Sequence, residues 1–184
     1  MKALWTGAAL ALITALGRRE ARATDYYIEG QLAGSGSAWR GDGNGQGALR
    51  TGFQFKDIIG VEIQGRLGYA NVDERMLMGL GAGVRLAIPI QPIVPHLRLG
   101  MIHFHEHPVS AAHHDIAGAI FGVGDGIRHR FGVETALGVD WNFAKLDKTT
   151  FFSGLEAFIQ AFPDERGPTF YGGGSLGIGL HYAL

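Results

Sequence analysis

Histidines are concentrated in one short stretch of this 184-residue chain. His103, His105 and His107 alternate along the sequence and would share one face of an extended segment, and His113 and His114 follow closely. Imidazoles at that spacing can bind zinc, copper or nickel. The chain has no cysteine to add a thiolate, and no carboxylate is firmly placed beside the histidines. We therefore interpret the stretch as a solvated, histidine-rich loop and expect no cofactor, with a metal site as the competing interpretation.

The elements that must position these residues are predicted by the alternation of apolar and polar side chains, which has a period of two in a β-strand. In Ile58–Ala70, for example, Ile63 and Leu67 face away from Glu62 and Arg66. The same pattern predicts eight strands: Tyr26–Ala33, Gly47–Phe55, Ile58–Ala70, Arg75–Ile88, Ile93–His103, Phe131–Phe143, Thr150–Ala161 and Gly172–Leu184.

The segments between these strands are polar and differ in length. Gly34–Gln46 is rich in glycine and serine and is predicted to be a loop, as is most of the mixed stretch Phe104–Arg128. Two alternatives stay open, because Ile116–Ile127 could form a ninth strand and Ser153–Phe162 could form a helix. The predicted connections alternate between longer and shorter, which is typical of membrane barrels. The expected fold is therefore all-β, an eight-stranded antiparallel up-and-down transmembrane β-barrel.

The polar faces of the predicted strands carry both acids and bases. An eight-stranded barrel has an interior only wide enough for side chains to fill, so these residues would pair across the lumen and block a wide pore. If the polar faces pointed outward instead, the result would be a soluble, lipocalin-like binding barrel, and a narrow channel is a further alternative. The predicted lumen network consists of Glu29, Arg50, Glu62, Arg66, Arg85, Arg98, Glu134 and Glu156.

The beginning of the chain has the order of a secretory signal peptide. A short basic start is followed by the apolar run Ala3–Leu16, and small residues at Ala21–Ala23 then precede Thr24. We expect residues 1–23 to be removed and residues 24–184 to form one barrel domain. The full chain has 16 basic and 17 acidic residues, and without the signal peptide the balance is acidic. An acidic chain lacks the basic face that nucleic-acid binding requires.

The last predicted strand carries the most specific pattern in the sequence. Leu176, Ile178, Leu180, Tyr182 and Leu184 fall on one face, and small or polar residues fall on the other. This ending resembles the C-terminal signature of bacterial outer-membrane β-barrels, with a terminal leucine where those proteins typically have an aromatic residue. In this respect the chain is similar to the small outer-membrane barrel superfamily, which includes the OmpA-like transmembrane domain. The resemblance implies an assembly signal at Gly179, Tyr182 and Leu184.

The resemblance also sets expectations about location and function. It implies an integral protein of the bacterial outer membrane, surrounded by lipid and lipopolysaccharide and inserted by the barrel assembly machinery. Tyr69, Trp141 and Phe143 lie with Tyr182 near the predicted strand ends, as interfacial aromatic residues of membrane barrels do. We expect a structural or surface-interaction role and not an enzyme. The sequence does not predict an oligomeric state.

A lipid A-modifying enzyme is the alternative within the same superfamily, since its enzymes pair a histidine with a nearby serine. Ser110 lies between the two histidine groups, and Glu106 and Asp115 could orient an imidazole. A serine–histidine pair must come within about 2.6–3.2 Å to act as a nucleophile. The segment His107–Ser110 matches no catalytic motif of those enzymes, so no catalytic residue is assigned.

Overall fold

The computed structural model describes residues 24–112, 116–124, 126–164 and 167–184. The predicted signal peptide, His113, His114 and Asp115 lie outside these ranges. Eight strands are present: β1 (Thr24–Gly36), β2 (Gly43–Phe55), β3 (Ile59–Ala70), β4 (Arg75–Ala87), β5 (Ile93–Pro108), β6 (Arg128–Leu146), β7 (Thr149–Ala161) and β8 (Phe170–Ala183). A 3₁₀ turn (Trp39–Gly41) and two short helices, α1 (Val109–Ala112) and α2 (Ile116–Phe121), complete the elements. Within the described ranges, no helix combines the length and the apolar composition needed to cross a membrane.

The strands form one closed antiparallel barrel in which each strand pairs with its neighbours in sequence. The barrel closes where β1 pairs with β8, in a register that places Glu29 opposite Gly179 and Leu32 opposite Leu176. The sequence prediction of an eight-stranded up-and-down barrel is therefore confirmed.

The two faces of the barrel wall differ sharply in chemistry. Acidic, basic and amide side chains point inward and are buried, including Arg50, Glu62 and Gln160. Apolar side chains point outward, and Leu32, Met101 and many others are exposed. This is the reverse of a lipocalin-like barrel, whose interior is apolar, and it is the arrangement of a barrel that faces lipid.

The glycine-rich segment after the first predicted strand is mostly strand, which corrects the predicted loop Gly34–Gln46. β1 continues to Gly36 and β2 begins at Gly43, so that only residues 37–42 connect them. The outward positions of this extension are glycines, and its inward positions include Ser35, Asn44 and Gln46. Because the outward positions have no apolar side chains, the alternating pattern that predicts a strand is absent there. The backbone pairing between β1 and β2 nevertheless continues through these residues.

The region around the histidines also differs from the prediction. Phe104–Pro108 was expected to be loop, but it extends β5, so His103, His105 and His107 lie on a strand. Ile116–Phe121 is helical, so the ninth-strand alternative is wrong. Ser153–Ala161 belongs to strand β7, so the helical alternative for that segment is also wrong.

The connections define two ends of the barrel. One end, here called the turn end, has the connections 56–58, 88–92 and 147–148, and the other, the loop end, has 37–42, 71–74, 109–127 and 162–169. The predicted alternation of short and long connections holds except at 71–74, which is shorter than 88–92. α1 and α2 both lie in the long connection 109–127 at the loop end.

Candidate functional site

The centre of the lumen is organised around Arg50, whose side chain is 2% exposed. Its guanidinium donates to Glu29 at 2.8 Å and to Gln31 at 2.9 Å. It also lies 3.3 Å from a carboxylate oxygen of Glu156 and 3.7 Å from one of Glu62. Residues from β1, β2, β3 and β7 thus meet at one cation.

A second arginine, Arg98 on β5, reaches the same carboxylates. Its guanidinium donates to Glu62 at 2.7 Å and to Glu156 at 2.5 Å. Nε2 of His96 lies 2.9 Å from Glu156, and the hydroxyl of Tyr27 donates to Glu62. Two acids and two arginines therefore share hydrogen bonds across the barrel, and buried charges are tolerated only when paired in this way.

The remaining members of the predicted lumen network form pairs on either side of this centre. Arg66 donates to Glu134 at 2.5 Å, and the amide of Gln160 donates to the other oxygen of Glu134 at 2.7 Å. Arg85 forms an ion pair with Asp140. The structure thus brings together all eight predicted residues, adding Asp140, His96 and Tyr27 to them.

A further group of charged residues closes the loop end of the barrel, and the sequence did not predict it. Arg75 is paired with Asp42 and donates to Glu106 at 2.5 Å, and Arg130 donates to Glu106 at 3.0 Å. The hydroxyl of Tyr171 donates to Asp42 at 2.6 Å. The available signal in the sequence was that Glu106 and Arg130 alternate in phase with the inward-facing residues of β5 and β6. An adjoining apolar cluster consists of Ala70, Leu77, Ile102, Phe104, Phe162 and Tyr171.

The lumen opens at the turn end. A vestibule of about 350 Å³ opens there between Asp25, Arg85 and Asp140. Deeper in, a void beside Glu62 and Arg98 measures about 10 Å³, which is at the lower limit of the space that one water molecule needs. Between the vestibule and the loop end, buried ion pairs of the described residues occupy the lumen.

The histidines lie on the outside of the barrel near the loop end. His103, His105 and His107 share the outward parity of β5, as predicted, but only His103 and His105 are part-exposed, whereas His107 is buried. The first two contact each other, and His129 of β6 joins them, whereas Nδ1 of His107 lies 3.0 Å from the carbonyl oxygen of Pro108. His129 was missed because it is distant in sequence. The pairing of β5 with β6 across the long connection is the only signal for it.

Of the two acids predicted as possible partners of a catalytic imidazole, Glu106 lies on the lumen face of its strand. Glu106 points into the lumen, where it binds Arg75 and Arg130, because alternate residues of a strand face opposite sides. It cannot reach the outward histidines on the same strand. Ser110 lies in α1 and is exposed. The lipid-modifying hypothesis thereby loses one of the two acids on which it depended.

The predicted assembly residues occupy the closing strand. Tyr182 points outward and is 43% exposed, and Leu184 is 66% exposed. Gly179 points inward, where an added Cβ would lie 2.6 Å from Cζ of Phe152. Tyr69, Trp141 and Phe143 are outward and exposed as well.

The comparisons with known proteins are structural, because no family model and no curated protein matches the sequence. Neisserial surface protein A superposes with a TM-score of 0.58 at 14% identity, over 88% of this chain and 97% of that one. The outer-membrane enzyme PagL gives 0.48 at 11% identity, over 83% and 97%. The N-terminal barrel of Pseudomonas aeruginosa OprF gives 0.42 at 16% identity, over 85% and 97%. At these identities the likeness concerns fold alone, and the chain has the fold of the small, eight-stranded outer-membrane β-barrels.

Proposed function

We propose that this chain is an integral outer-membrane barrel with a side-chain-filled lumen, acting as a structural or surface-interaction protein. One observation carries the proposal, namely the apolar outer wall around a charged, hydrogen-bonded interior. In water each Å² of apolar surface costs about 25 cal/mol, and soluble proteins rarely expose contiguous apolar patches above a few hundred Å². A bilayer removes this cost, because its hydrocarbon core takes up the outward side chains.

The apolar side chains contribute to the outer wall from all eight strands, so that no side of the barrel is left for water. Exposed examples, one for each strand in order, are Leu32, Phe53, Ile63, Leu80, Met101, Leu137, Leu155 and Ile178. Outer-membrane barrels have short turns on the periplasmic side and longer loops outside. We accordingly place the turn end in the periplasm and the loop end at the cell surface.

The partners in this proposal follow from the same surface. Lipid and lipopolysaccharide would cover the outer wall, and the barrel assembly machinery would recognise the closing strand through Gly179, Tyr182 and Leu184. Residues 1–23 would direct export. The loops at the surface end, including the long connection 109–127, would be available for interaction with other molecules.

Single cysteines test location and orientation together, because the chain has no cysteine of its own. Ala38 is exposed at the loop end and Lys148 is exposed at the turn end. In intact cells, Ala38→Cys should react with a membrane-impermeant maleimide and Lys148→Cys should not. Both should react after permeabilisation, in a membrane fraction whose unboiled protein migrates differently from boiled protein.

Two outcomes would contradict the proposal. Recovery of the protein in the soluble fraction without detergent would exclude an integral barrel. Labelling of Lys148→Cys but not of Ala38→Cys in intact cells would place the turn end at the surface and reverse the proposed orientation.

A further inference from the structure

Three imidazoles converge on the outer face of the barrel near its loop end. His103 and His105 are alternate residues of β5, and His129 lies directly opposite His105 on β6. The two Nε2 atoms of His103 and His105 are 2.9 Å apart, and Nδ1 of His129 is 3.4 Å from Nε2 of His103. One nitrogen from each of the three rings lies within 4.8 Å of the others.

These separations match the spacing of ligands on a metal ion. Zinc–nitrogen bonds are about 2.0–2.1 Å long, so two imidazole nitrogens on a tetrahedral ion lie about 3.3 Å apart. The measured 2.9 Å and 3.4 Å bracket that distance. The three imidazoles are therefore close enough to share one ion. Imidazole is a preferred donor for zinc, copper and nickel.

The strand positions give this cluster an advantage that a loop would lack. Ordering a flexible residue costs about 1–2 kcal/mol, and three ligands on a loop would each carry that cost. Here the ladder between β5 and β6 continues from Ile93–Trp141 to Glu106–Arg128 and fixes all three backbones. The three histidines therefore start from fixed backbone positions and carry little of that cost.

The long connection 109–127 packs against the cluster from outside. Gly122 has a φ of +69°, and a Cβ added there would overlap with the imidazole ring of His105. His103, His105 and Phe121 also line one end of a groove of about 1210 Å³ on the outer wall. The site thus has a cover on one side and an opening on the other, where a water molecule or another ligand could complete the coordination.

We propose that His103, His105 and His129 form a binding site for one late first-row divalent metal ion, with zinc as the representative. Among the described residues, these three histidines are the group whose ligand atoms converge within metal-binding distance. Three protein ligands and one open position form the pattern of zinc sites that bind an exogenous molecule, whereas closed sites have four protein ligands. The site stands on its own geometry and does not depend on the proposed function.

Calorimetry on the folded barrel in detergent micelles tests this site, using protein without an affinity histidine tag and Zn²⁺ as the probe. We expect one ion per chain, and His103→Ala, His105→Ala and His129→Ala should each weaken binding by more than about tenfold. His107→Ala is the control, because His107 lies on the same strand and at the same parity but is buried and lies outside the cluster. It should change the affinity by less than about twofold.

A second measurement needs no variant and therefore does not depend on how the variants fold. In the wild-type protein loaded with one equivalent of Cu²⁺, electron paramagnetic resonance should show hyperfine coupling to three imidazole nitrogens. Coupling to one nitrogen or none would overturn the proposal. Graded, non-saturating Zn²⁺ binding, or an equal loss in His107→Ala and His129→Ala, would overturn it as well.

Discussion

At the scale of residues, the interior depends on charges that have several partners each. Arg50 contacts Glu29, Gln31, Glu62 and Glu156, so no single carboxylate neutralises it. Burying an ion carries a desolvation cost that only good geometry and further hydrogen bonds offset. Removing the cation would leave carboxylates from three strands close together, with Arg98 still paired to Glu62 and Glu156 and no arginine paired to Glu29.

Arg50→Ala is therefore predicted to destabilise the barrel strongly. Loss of one partner in a buried ion network costs about 3–5 kcal/mol, and the effect should appear as a lower urea midpoint for unfolding in detergent or vesicles. Arg40→Ala is the control, since Arg40 pairs with Asp73 at 3.3 Å on the surface. An exposed pair contributes about 0–1 kcal/mol, and equal midpoints for the two variants would contradict the prediction.

At the scale of elements, the sequence predicted strands wherever outward side chains are large and apolar. Strand β3, for example, was predicted from the alternating apolar residues Ile59, Val61 and Ile63. The strand ends were lost where the outward residue is glycine, as at Gly34, or histidine, as at His105, because neither contributes to an apolar pattern. The alternation along each strand was enough to predict that Arg50 and Glu62 face the lumen. It could not predict that His105 lies opposite His129, because the pattern of a single strand carries no information about its register with another strand.

Two glycines of β8 give a matched test of packing at the closing strand. In Gly179→Ala the added methyl group would contact Phe152 and the backbone of Ile28, whereas Gly172 has open space at the same atom. Overpacking of this kind costs about 1–3 kcal/mol. Gly172→Ala should shift the unfolding free energy by less than about 0.5 kcal/mol. Similar urea midpoints for the two variants would show that β8 has more room than the structure gives it.

The end of β8 is also predicted to govern insertion. Tyr182→Asp combined with Leu184→Asp should prevent assembly, measured as loss of the heat-modifiable form from the outer-membrane fraction. A charge on the lipid face near an interface costs only about 0–1 kcal/mol, so a complete block would indicate lost recognition. Leu146→Asp is the control, because Leu146 is 72% exposed at the turn end of another strand. Normal insertion of the double variant, or equal failure of the control, would contradict an assembly signal here.

At the scale of the whole molecule, buried side chains occupy most of the lumen. The interior pairs, the loop-end group around Arg75 and the adjoining apolar cluster fill the space between the vestibule and the loops. Eight strands enclose only enough volume for side chains, and this chain uses large ones, including Arg98 and Phe104.

Purified protein in a planar bilayer is accordingly expected to give no large, stable conductance. An ion would have to separate Arg50 and Arg98 from their carboxylates, which the strong attraction between charges shielded from water opposes. Single-channel recording checks this, with protein whose insertion is verified by its heat-modifiable migration. Reproducible steps of porin size would contradict the closed lumen and favour a pore.

The position of Glu156 has a consequence for how the barrel closes. This residue arrives on β7, yet its partners Arg50 and Arg98 lie on β2 and β5. A slip of one residue along β7 would turn its side chains to the opposite face and would move the Glu156 carboxylate toward lipid, away from both arginines. The interior charges therefore disfavour a misaligned barrel, because a strand that is turned over would expose its charges to lipid. An apolar interior of equal volume would carry no such penalty.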